Sequence, residues 1–386
     1  GRLEAAVTTD ICGKKESHAV RFDTEAINDI KKARLHRKVS TAIFFESNGG
    51  CTRIEATIPE IRLDVADAAL DIGHVETVLD AMATDFYYLA IEKNKYRFTL
   101  SPNLNKILAD RRAGVQSSRI DECVREYVQK VFGPAKGITP IYFPTKSTDI
   151  PNRPALAFAV MLPESAIQGA DTLKLADTLI RESGGCDRTF KSAVIIAIAD
   201  SNTQLREEAR KLLAWEDIRD EGIEGLDDNQ KRQLKENVPK AQRDLKEAIW
   251  RTYKHIAMLD KKNNIQTLDL GLINSSSSTS MTEYILQELQ KLDYIQDFIN
   301  ARFLVRIWPP AFIEWSTKSV RDTCFASPQF PRLLDPDTIR QTIASGVSGG
   351  TIAYVGKAGE RYEPFKFNDG LSPNDIEISE DMFIIS

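Results

Sequence analysis

A run of basic side chains between positions 93 and 112 has the composition of a phosphate-contacting surface. The cations are Lys93, Lys95, Arg97, Lys106, Arg111 and Arg112, and the acids among them are Glu92 and Asp110. Lysine and arginine bind the nucleic-acid backbone by displacing its condensed counterions, which positions a protein without reading sequence. The pattern predicts a nucleic-acid contact. The alternative is a charged edge that protects a β-hairpin from pairing with other chains.

A second basic concentration lies between Asn229 and Leu259. Its cations are Lys231, Arg232, Lys235, Lys240, Arg243, Lys246, Arg251 and Lys254, and its acids are Glu236, Asp244 and Glu247. Helices often carry such charges only to form pairs four residues apart, as Glu247 and Arg251 would. The pattern therefore predicts either an ordinary solvated helix or a secondary basic patch made by Lys231, Arg232, Lys235, Arg243 and Lys246.

No glycine-rich loop indicates a nucleotide site. A Walker A loop needs spaced glycines whose N–H groups surround the phosphates, then a lysine and a hydroxyl residue. The nearest strings, Gly13-Lys14 and Gly356-Lys357, lack the upstream glycine and the following serine or threonine. Asp200 follows the apolar run Val194–Ala199 and resembles the acidic end of a Walker B strand, although such an aspartate more often caps a helix. Asp200 is the one nucleotide-binding candidate.

The sequence contains no local pattern typical of catalysis or metal binding. The histidines His18, His36, His74 and His255 are scattered, and none stands in an HExxH spacing. There is no GxSxG string, and no cysteine lies near a histidine in a familiar catalytic arrangement. We expect no catalytic residue, no metal and no cofactor in this chain. An enzyme whose residues assemble from distant positions remains an open alternative.

The segment from Phe303 to Trp315 concentrates large apolar side chains, including Trp308 and Trp315. Tryptophan buries a large area and retains one polar N–H, so it serves both in cores and at interfaces. The two tryptophans are candidates for docking a partner if they are exposed. If they are buried, the segment is a core that packs domains together.

Length and composition place the chain among multidomain globular proteins. It has 386 residues, 42% of them apolar and 28% charged, with a net charge of −5, so any nucleic-acid contact must be local. The cysteines Cys12, Cys51, Cys123, Cys186 and Cys324 are isolated, which is typical of reduced thiols. No apolar run reaches the roughly 18 residues needed to span a bilayer. We expect a cytoplasmic protein.

The first part of the chain reads as a winged helix over residues 35–115. Apolar residues of Leu35–Phe45 fall on one helical face, and Ser47, Asn48, Gly49 and Gly50 end that helix. Thr57 and Glu60 form a capping box for a second helix, and Val75, Val78, Leu79 and Met82 give a third helical stripe. Two strand-like runs then flank Lys93-Asn94. The third helix carries Asp71, Glu76, Asp80 and Asp85, so it would repel phosphates.

An α/β domain is expected over residues 116–280. The apolar runs Ala155–Met161 and Ala193–Ala199 have strand length, and a helical segment, Asp171–Glu182, separates them. Alternation of strand and helix predicts a mainly parallel sheet. A helical region broken at Pro239 then leads to a strand at Ile265–Leu270. Residues 281–386 repeat the order helix, helix, hairpin and are expected to form a winged-helix-like end.

Four segments of the sequence are informative when taken together: ATIPEIRLDVADAALDIGHVETVLDAM, YRFTLSPNLNKILADRR, AVIIAIADSNTQLREEARKLLAWEDI and FPRLLDPDTIRQTIASGV. They resemble the bacterial and archaeal "domain of unknown function 499" family of predicted AAA+ ATPases. The resemblance spans roughly residues 35–385. It implies that residues 1–34 are the remnant of an ATPase lid and that residues 116–280 are P-loop-like without the loop. ATP and magnesium would then belong to a preceding module, because no position here matches the nucleotide motif.

Two functions follow from these observations. The first is a regulatory, DNA-handling module of such an ATPase, which the family implies to act in anti-phage defence with a methyltransferase or helicase-type partner. The second is a protein-interaction scaffold that docks partner subunits, which the net negative charge favours. The chain begins at Gly1 rather than methionine, so we expect a fragment or a processed product.

Overall fold

A computed structural model describes residues 3–13, 17–48, 54–223, 226 and 228–386. The described residues form a mixed α/β structure with several sheets, and they divide into two compact units. The first unit comprises residues 1–120 and 209–243, and the second comprises 121–208 and 244–386. Lys14, Gly49, Gly50 and Cys51, which enter the predictions above, lie outside the described residues.

The N-terminal third is mainly helical. Its helices are α1 (Glu4–Ala6), α2 (His18–Glu25), α3 (Asn28–Ala33), α4 (Leu35–Asn48), α5 (Ile58–Val65), α6 (His74–Asp85), α7 (Leu104–Gly114) and α8 (Ser117–Phe132), with a π-helical turn at Val7–Ile11. Its strands are β1 (Ala56–Thr57), β2 (Leu89–Glu92) and β3 (Lys95–Phe98), which form an antiparallel sheet in the order β1-β3-β2.

Local sequence signals account for these elements. The backbone N–H of Thr57 donates to Glu60 across 2.9 Å, which confirms the capping box at the start of α5. The predicted stripe of α6 is at most 1% exposed. Lys93 and Asn94 both have positive φ, the conformation that a two-residue hairpin turn requires. The predicted helices and hairpin are therefore present.

The central part contains a five-stranded sheet. Its elements are β4 (Ile141–Tyr142), β5 (Ala157–Val160), α9 (Thr172–Arg181), β6 (Glu182–Ser183), β7 (Cys186–Asp187), β8 (Val194–Ile198), α10 (Thr203–Glu221), α11 (Asp228–Thr252), β9 (His255–Leu259) and β10 (Ile265–Asp269). The sheet order is β10-β9-β8-β5-β4; β4, β5 and β8 are parallel, whereas β9 and β10 run antiparallel to their neighbours.

The sheet is therefore mixed rather than mainly parallel, and two predictions in this region need correction. The backbone N–H of Asp200 donates to the carbonyl of Thr252 across 2.8 Å, so β9 begins beside the end of β8 and must run back along it. A short turn then joins β9 to β10, which only antiparallel strands allow. Pro239 does not break the helical region, because it lies inside α11.

The C-terminal part adds a four-stranded sheet. Its elements are α12 (Met281–Lys291), β11 (Ile295–Gln296), α13 (Ala301–Arg306), β12 (Trp315–Ser316), α14 (Thr317–Ala326), β13 (Arg332–Leu333), α15 (Thr338–Ser348), β14 (Ala353–Ala358), β15 (Arg361–Lys366) and β16 (Met382–Ile385). The sheet order is β12-β16-β14-β15. The predicted order of two helices and a hairpin is present, but β16, which was not predicted, lies between β12 and β14.

Each unit has its own apolar core. In the first unit, α2, α4, α6 and the β2–β3 hairpin share one cluster of buried residues. In the second unit, one cluster joins α9 to β5, β8 and β9, and another joins α14 and α15 to β14 and β16. Among the described residues, no helix is long and apolar enough to cross a lipid bilayer.

Candidate nucleic-acid interface

The six predicted cations of residues 93–112 lie on the β2–β3 hairpin and on α7. Several are offset by carboxylates. Lys95 Nζ lies 2.9 Å from Glu55 Oε2, and this hydrogen bond lowers the pKa of the Glu55 carboxyl. Lys106 lies 3.1 Å from Asp85 and 2.9 Å from Asp110. Arg111 forms an ion pair with Glu221, and Arg112 follows it on α7.

Two cations of the hairpin differ from these. Lys93 is exposed at the turn and forms no ion pair with any residue that the structure describes. Arg97 is half-buried and likewise forms no direct ion pair with a described residue. The pKa of the Glu55 carboxyl is lowered mainly by the hydrogen bond from Lys95, which desolvation opposes, and the charge of Arg97 lowers it a little further. Much of the predicted positive charge of this edge is therefore neutralised within the unit.

Helix α6 presents negative charge, as its sequence indicates. Asp80 is exposed on it, and Glu76 is paired with Arg62 on α5. Burial raises the pKa of the Tyr96 hydroxyl, and the charges of Asp80 and Glu76 raise it further. Asp71 precedes the helix and accepts from the Gly73 N–H. A helix with this charge opposes insertion into a nucleic-acid groove.

The secondary basic patch lies on α11, whose buried face includes Leu234, Val238 and Ala241. At 3.6 residues per turn, side chains four positions apart form rows along the helix. One row contains Lys231, Lys235, Pro239 and Arg243, and its first acid, Glu247, comes one turn after Arg243; we call Lys231, Lys235 and Arg243 the cationic row. The neighbouring row, Arg232, Glu236, Lys240 and Asp244, alternates in sign.

The cationic row is exposed along its length. Lys231 lies 4.0 Å from Asp228, a contact between two well-exposed groups that contributes little. Within the described part of the chain, Lys235 and Arg243 form no ion pair. Gln230 holds the start of α11 by donating to the carbonyl of Pro102 across 2.7 Å. Lys246 is exposed on the same helix, but it belongs to the second unit.

Asp200 lies in a cluster of charged groups at the end of β8. Its Oδ1 is 2.9 Å from His255 Nε2 and 3.9 Å from Lys254 Nζ. Lys254 also lies 3.4 Å from Asp269, whose pKa is lowered first by a hydrogen bond from the Gly271 N–H. Asp200 does not cap α10 as predicted, because its carboxylate faces His255, while Ser201 accepts from the Thr203 N–H.

The sequence interpretation missed His255, Lys254 and Asp269 as neighbours of Asp200. The signal was available in the pattern HIAML followed by a turn and IQTLD, which is typical of a hairpin. The second strand, at Ile265–Leu270, is predicted, but His255–Leu259 is not recognised as its partner strand, so the residues at the open end of the hairpin are not placed beside the end of β8. The cluster is a set of hydrogen-bonded and ion-paired side chains at one end of β8 and β9.

The two tryptophans lie in the core of the second unit or at its edge. Trp315 is 1% exposed, and its Nε1 donates to Ser319 Oγ across 3.1 Å. Trp308 is half-buried, meets Trp315 edge to face with ring centroids 5.5 Å apart, and donates to the carbonyl of Phe312. Trp315 is therefore a core residue and cannot form an exposed docking surface.

Comparison of the chain with protein-family models, with curated proteins and with solved structures found no match. The family membership that the four sequence segments indicate therefore stays a prediction. Within the described ranges, no group of three or more histidine, cysteine, aspartate or glutamate side chains is arranged to hold a metal ion.

Proposed function

We propose that this chain is a regulatory, nucleic-acid-contacting module of a larger AAA+ ATPase of the family named above, acting in anti-phage defence, and that its cationic row contacts phosphates. The observation that carries the proposal is the row itself. Lys231, Lys235 and Arg243 extend about 18 Å along α11 at 1.5 Å per residue, with no acid among them. Such a row attracts a polyanion without reading its sequence.

The cationic row is better suited to this contact than the wing. On the β2–β3 hairpin and α7, Glu55, Asp85 and Glu221 already neutralise Lys95, Lys106 and Arg111. A phosphate would have to displace those carboxylates, whereas Lys235 and Arg243 have no ion pair with a described residue to give up. We therefore assign Lys93 and Arg97 a supporting contact only.

The finer fold assignments are part of this proposal. The order α4, β1, α5, α6, β2, β3, with β1 paired to β3, supports a winged helix over residues 35–115. Helices α14 and α15 followed by β14 and β15 support a winged-helix-like end over 281–386. Three parallel strands, β4, β5 and β8, and the position of Asp200 after β8 support a P-loop-like domain over 116–280. The strand order gives no further support, because neighbouring strands of this sheet follow one another in the same order as along the chain.

ATP and magnesium, which the family implies, do not fit the residues at Asp200. The Asp200 carboxylate already lies within hydrogen-bonding distance of His255, and Lys254 Nζ lies close by. A metal ion there would have to compete with both groups, and no lysine-bearing glycine loop accompanies the site. We therefore assign Asp200 no role in binding ATP or magnesium.

A gel-shift titration with a DNA duplex tests the proposal. The double variant Lys235→Glu, Arg243→Glu should bind about tenfold more weakly or worse at low salt, and neutralising the two residues should reduce the slope of log K against log salt by about two. Arg232→Glu, Lys240→Glu is the matched control, since it reverses one arginine and one lysine on the alternating row of the same helix. Equal loss in the control, or no binding by the unaltered chain at low salt, would reject the proposal.

The second candidate, a protein-interaction scaffold, is favoured by the edge strand β15. Residues Arg361–Phe365 are exposed, with Phe365 at 55%, and Ile313, at 84%, adjoins Glu314, which accepts from the Tyr362 hydroxyl across 3.2 Å. The partner would be a subunit of the methyltransferase or helicase type. Co-elution with such a purified subunit should be lost in Ile313→Ser, Phe365→Ser and kept in Leu272→Ser, which removes a 90% exposed leucine elsewhere. Co-elution kept in both variants would count against this surface.

A further inference from the structure

A cleft of about 990 Å³ lies in the second unit. Three separate segments line it: the turn between β9 and β10, residues 292–306, and residues 328–332. This volume is at the upper end of the range of sites for small molecules and cofactors. The cleft is distinct from the Asp200 cluster, whose four side chains do not line it.

Cations predominate in the walls of this cleft. They are Lys261, Lys262, Arg306 and Arg332, against Asp260 and Asp293. The Asp260 carboxylate accepts from the N–H groups of Lys262 and Asn264, so it serves the turn. An adjoining hollow of about 340 Å³ is lined by Lys191 together with Lys261 and Lys262. None of these three lysines forms an ion pair with a residue that the structure describes.

Arg332 contributes a positive charge that its protein neighbours do not neutralise. Its side chain is buried, with 5% of the residue exposed, and its Nε and Nη2 donate to the carbonyl oxygens of Ser192 and Leu259 across 2.7 and 2.6 Å. Both acceptors are neutral, and no carboxylate pairs with Arg332 among the described residues. A buried cation without an anionic partner is costly, so an anion in the cleft would relieve that cost.

Aromatic rings lie among these cations. Phe298 is 45% exposed, and Tyr294 and Phe330 line the same cleft. The Arg306 guanidinium lies over the Phe303 ring, 5.0 Å from its centroid. Exposed rings beside basic side chains are the combination that binds single-stranded nucleic acid, because each base stacks on a ring while the cations hold its phosphates.

We propose that this cleft binds a nucleotide unit of a single-stranded nucleic acid, with the base stacked on Phe298 and the phosphates held by Lys261, Lys262 and Arg306. The buried Arg332 adds a positive charge to the wall of the cleft, which attracts the phosphates electrostatically. This site goes beyond the duplex contact of the cationic row, since it lies in the other unit and shares no residue with that row.

Fluorescence anisotropy with a labelled oligo-dT probe tests the site in the full chain. The variant Lys261→Ala, Lys262→Ala changes two exposed turn residues and should raise the Kd about tenfold, and Phe298→Ala should raise it by about five- to tenfold, as loss of one stacking ring does. The matched control is Lys130→Ala, Lys174→Ala, which removes the same charge from exposed positions of the same unit and should leave the Kd within about twofold.

Three results would overturn the proposal: no binding of the probe by the unaltered chain, equal loss in the control, or loss only in Lys235→Glu, Arg243→Glu. Conversely, if Lys235→Glu, Arg243→Glu loses duplex binding but still binds oligo-dT, the cationic row and the cleft are two independent sites. If free dTMP competes as strongly as the unlabelled oligonucleotide, the cleft binds free nucleotides, and the proposal that it binds a single-stranded nucleic acid is overturned. The lysine variant keeps the test decisive if Phe298→Ala fails to fold.

Discussion

Arg332 Nη2 donates to the carbonyl oxygen of Leu259 across 2.6 Å, which joins the first residue of β13 to the last residue of β9. Leu259 belongs to the core around the five-stranded sheet, and Leu333, next to Arg332, belongs to the core around α14 and α15. The same guanidinium donates to Ser192, which lies just before β8. One side chain therefore connects the two cores of the second unit.

Removing this guanidinium should destabilise the second unit. Arg332→Met keeps most of the volume but leaves the carbonyls of Ser192 and Leu259 without donors, and we expect a loss of about 2–4 kcal/mol. Arg332→Lys should recover only part of it, because an ammonium lacks the planar fork that reaches both carbonyls. Urea unfolding measures the change. Arg361→Met at an exposed position is the control, and a similar loss there would contradict this account.

Gly346 marks a close approach between α13 and α15. A Cβ built on Gly346 would lie 2.5 Å from the Ala301 Cβ and 2.8 Å from Ile352 Cγ1. Gly346→Ala should therefore destabilise by about 1–3 kcal/mol, although alanine is the better helix former by about 1 kcal/mol. Gly114→Ala, where no atom lies within 4 Å, should instead stabilise the chain slightly. Thermal unfolding compares them, and a higher Tm for Gly346→Ala would show that the helices separate at little cost.

The buried carboxylate of Asp23 should make the first unit sensitive to acid. Burial acts to raise its pKa, but hydrogen bonds from His36 and Arg37 together outweigh it and hold the pKa below the ordinary value of 3.8. A carboxyl with a lower pKa in the folded state contributes stability above its unfolded pKa, and this contribution is lost as the pH falls through the folded pKa.

Asp23→Asn should therefore lower the free energy of unfolding by roughly 1–3 kcal/mol at neutral pH, the range for hydrogen bonds to a charged group. The difference from the unaltered chain should shrink as the pH falls below about 4. Urea titrations at several pH values test this. Asp171→Asn, whose side chain is 90% exposed, should show no such trend. A difference that is constant with pH would mean that the carboxylate charge is not what stabilises the unit.

Much of the fold could be predicted from local sequence patterns, because the residues that interact in these patterns are only a few positions apart. The Thr57–Glu60 capping box, the apolar stripe of α6 and the turn at Lys93 and Asn94 each depend on neighbours in sequence. The direction of β9 depends instead on a residue distant in sequence. It is set by the end of α11, which lies beside Asp200, and the apolar sequence of a five-residue strand does not indicate its direction.

The candidate sites could be predicted less well, since their character depends on pairing across long separations. Lys95 is neutralised by Glu55, and Arg111 by Glu221, more than a hundred positions away. The sequence therefore favours the cations of residues 93–112 over the secondary patch on α11, although Lys235 and Arg243 are the ones that have no ion pair among the described residues. The cleft of the second unit combines segments around Lys261, Phe298 and Arg332, so no single stretch of sequence displays it.

The cysteines offer a test of the cores that is independent of binding. Cys324 is fully buried, its Sγ donates to the Val320 carbonyl, and burial raises the pKa of its thiol to about 12. Cys186 is exposed. Because the thiolate is the reactive form, iodoacetamide at about pH 8 should alkylate Cys186 readily and Cys324 only after unfolding. Peptide mass spectrometry with and without urea measures both, and urea should equalise them. Alkylation of Cys324 at the rate of Cys186 in the native chain would mean that the core around α14 opens.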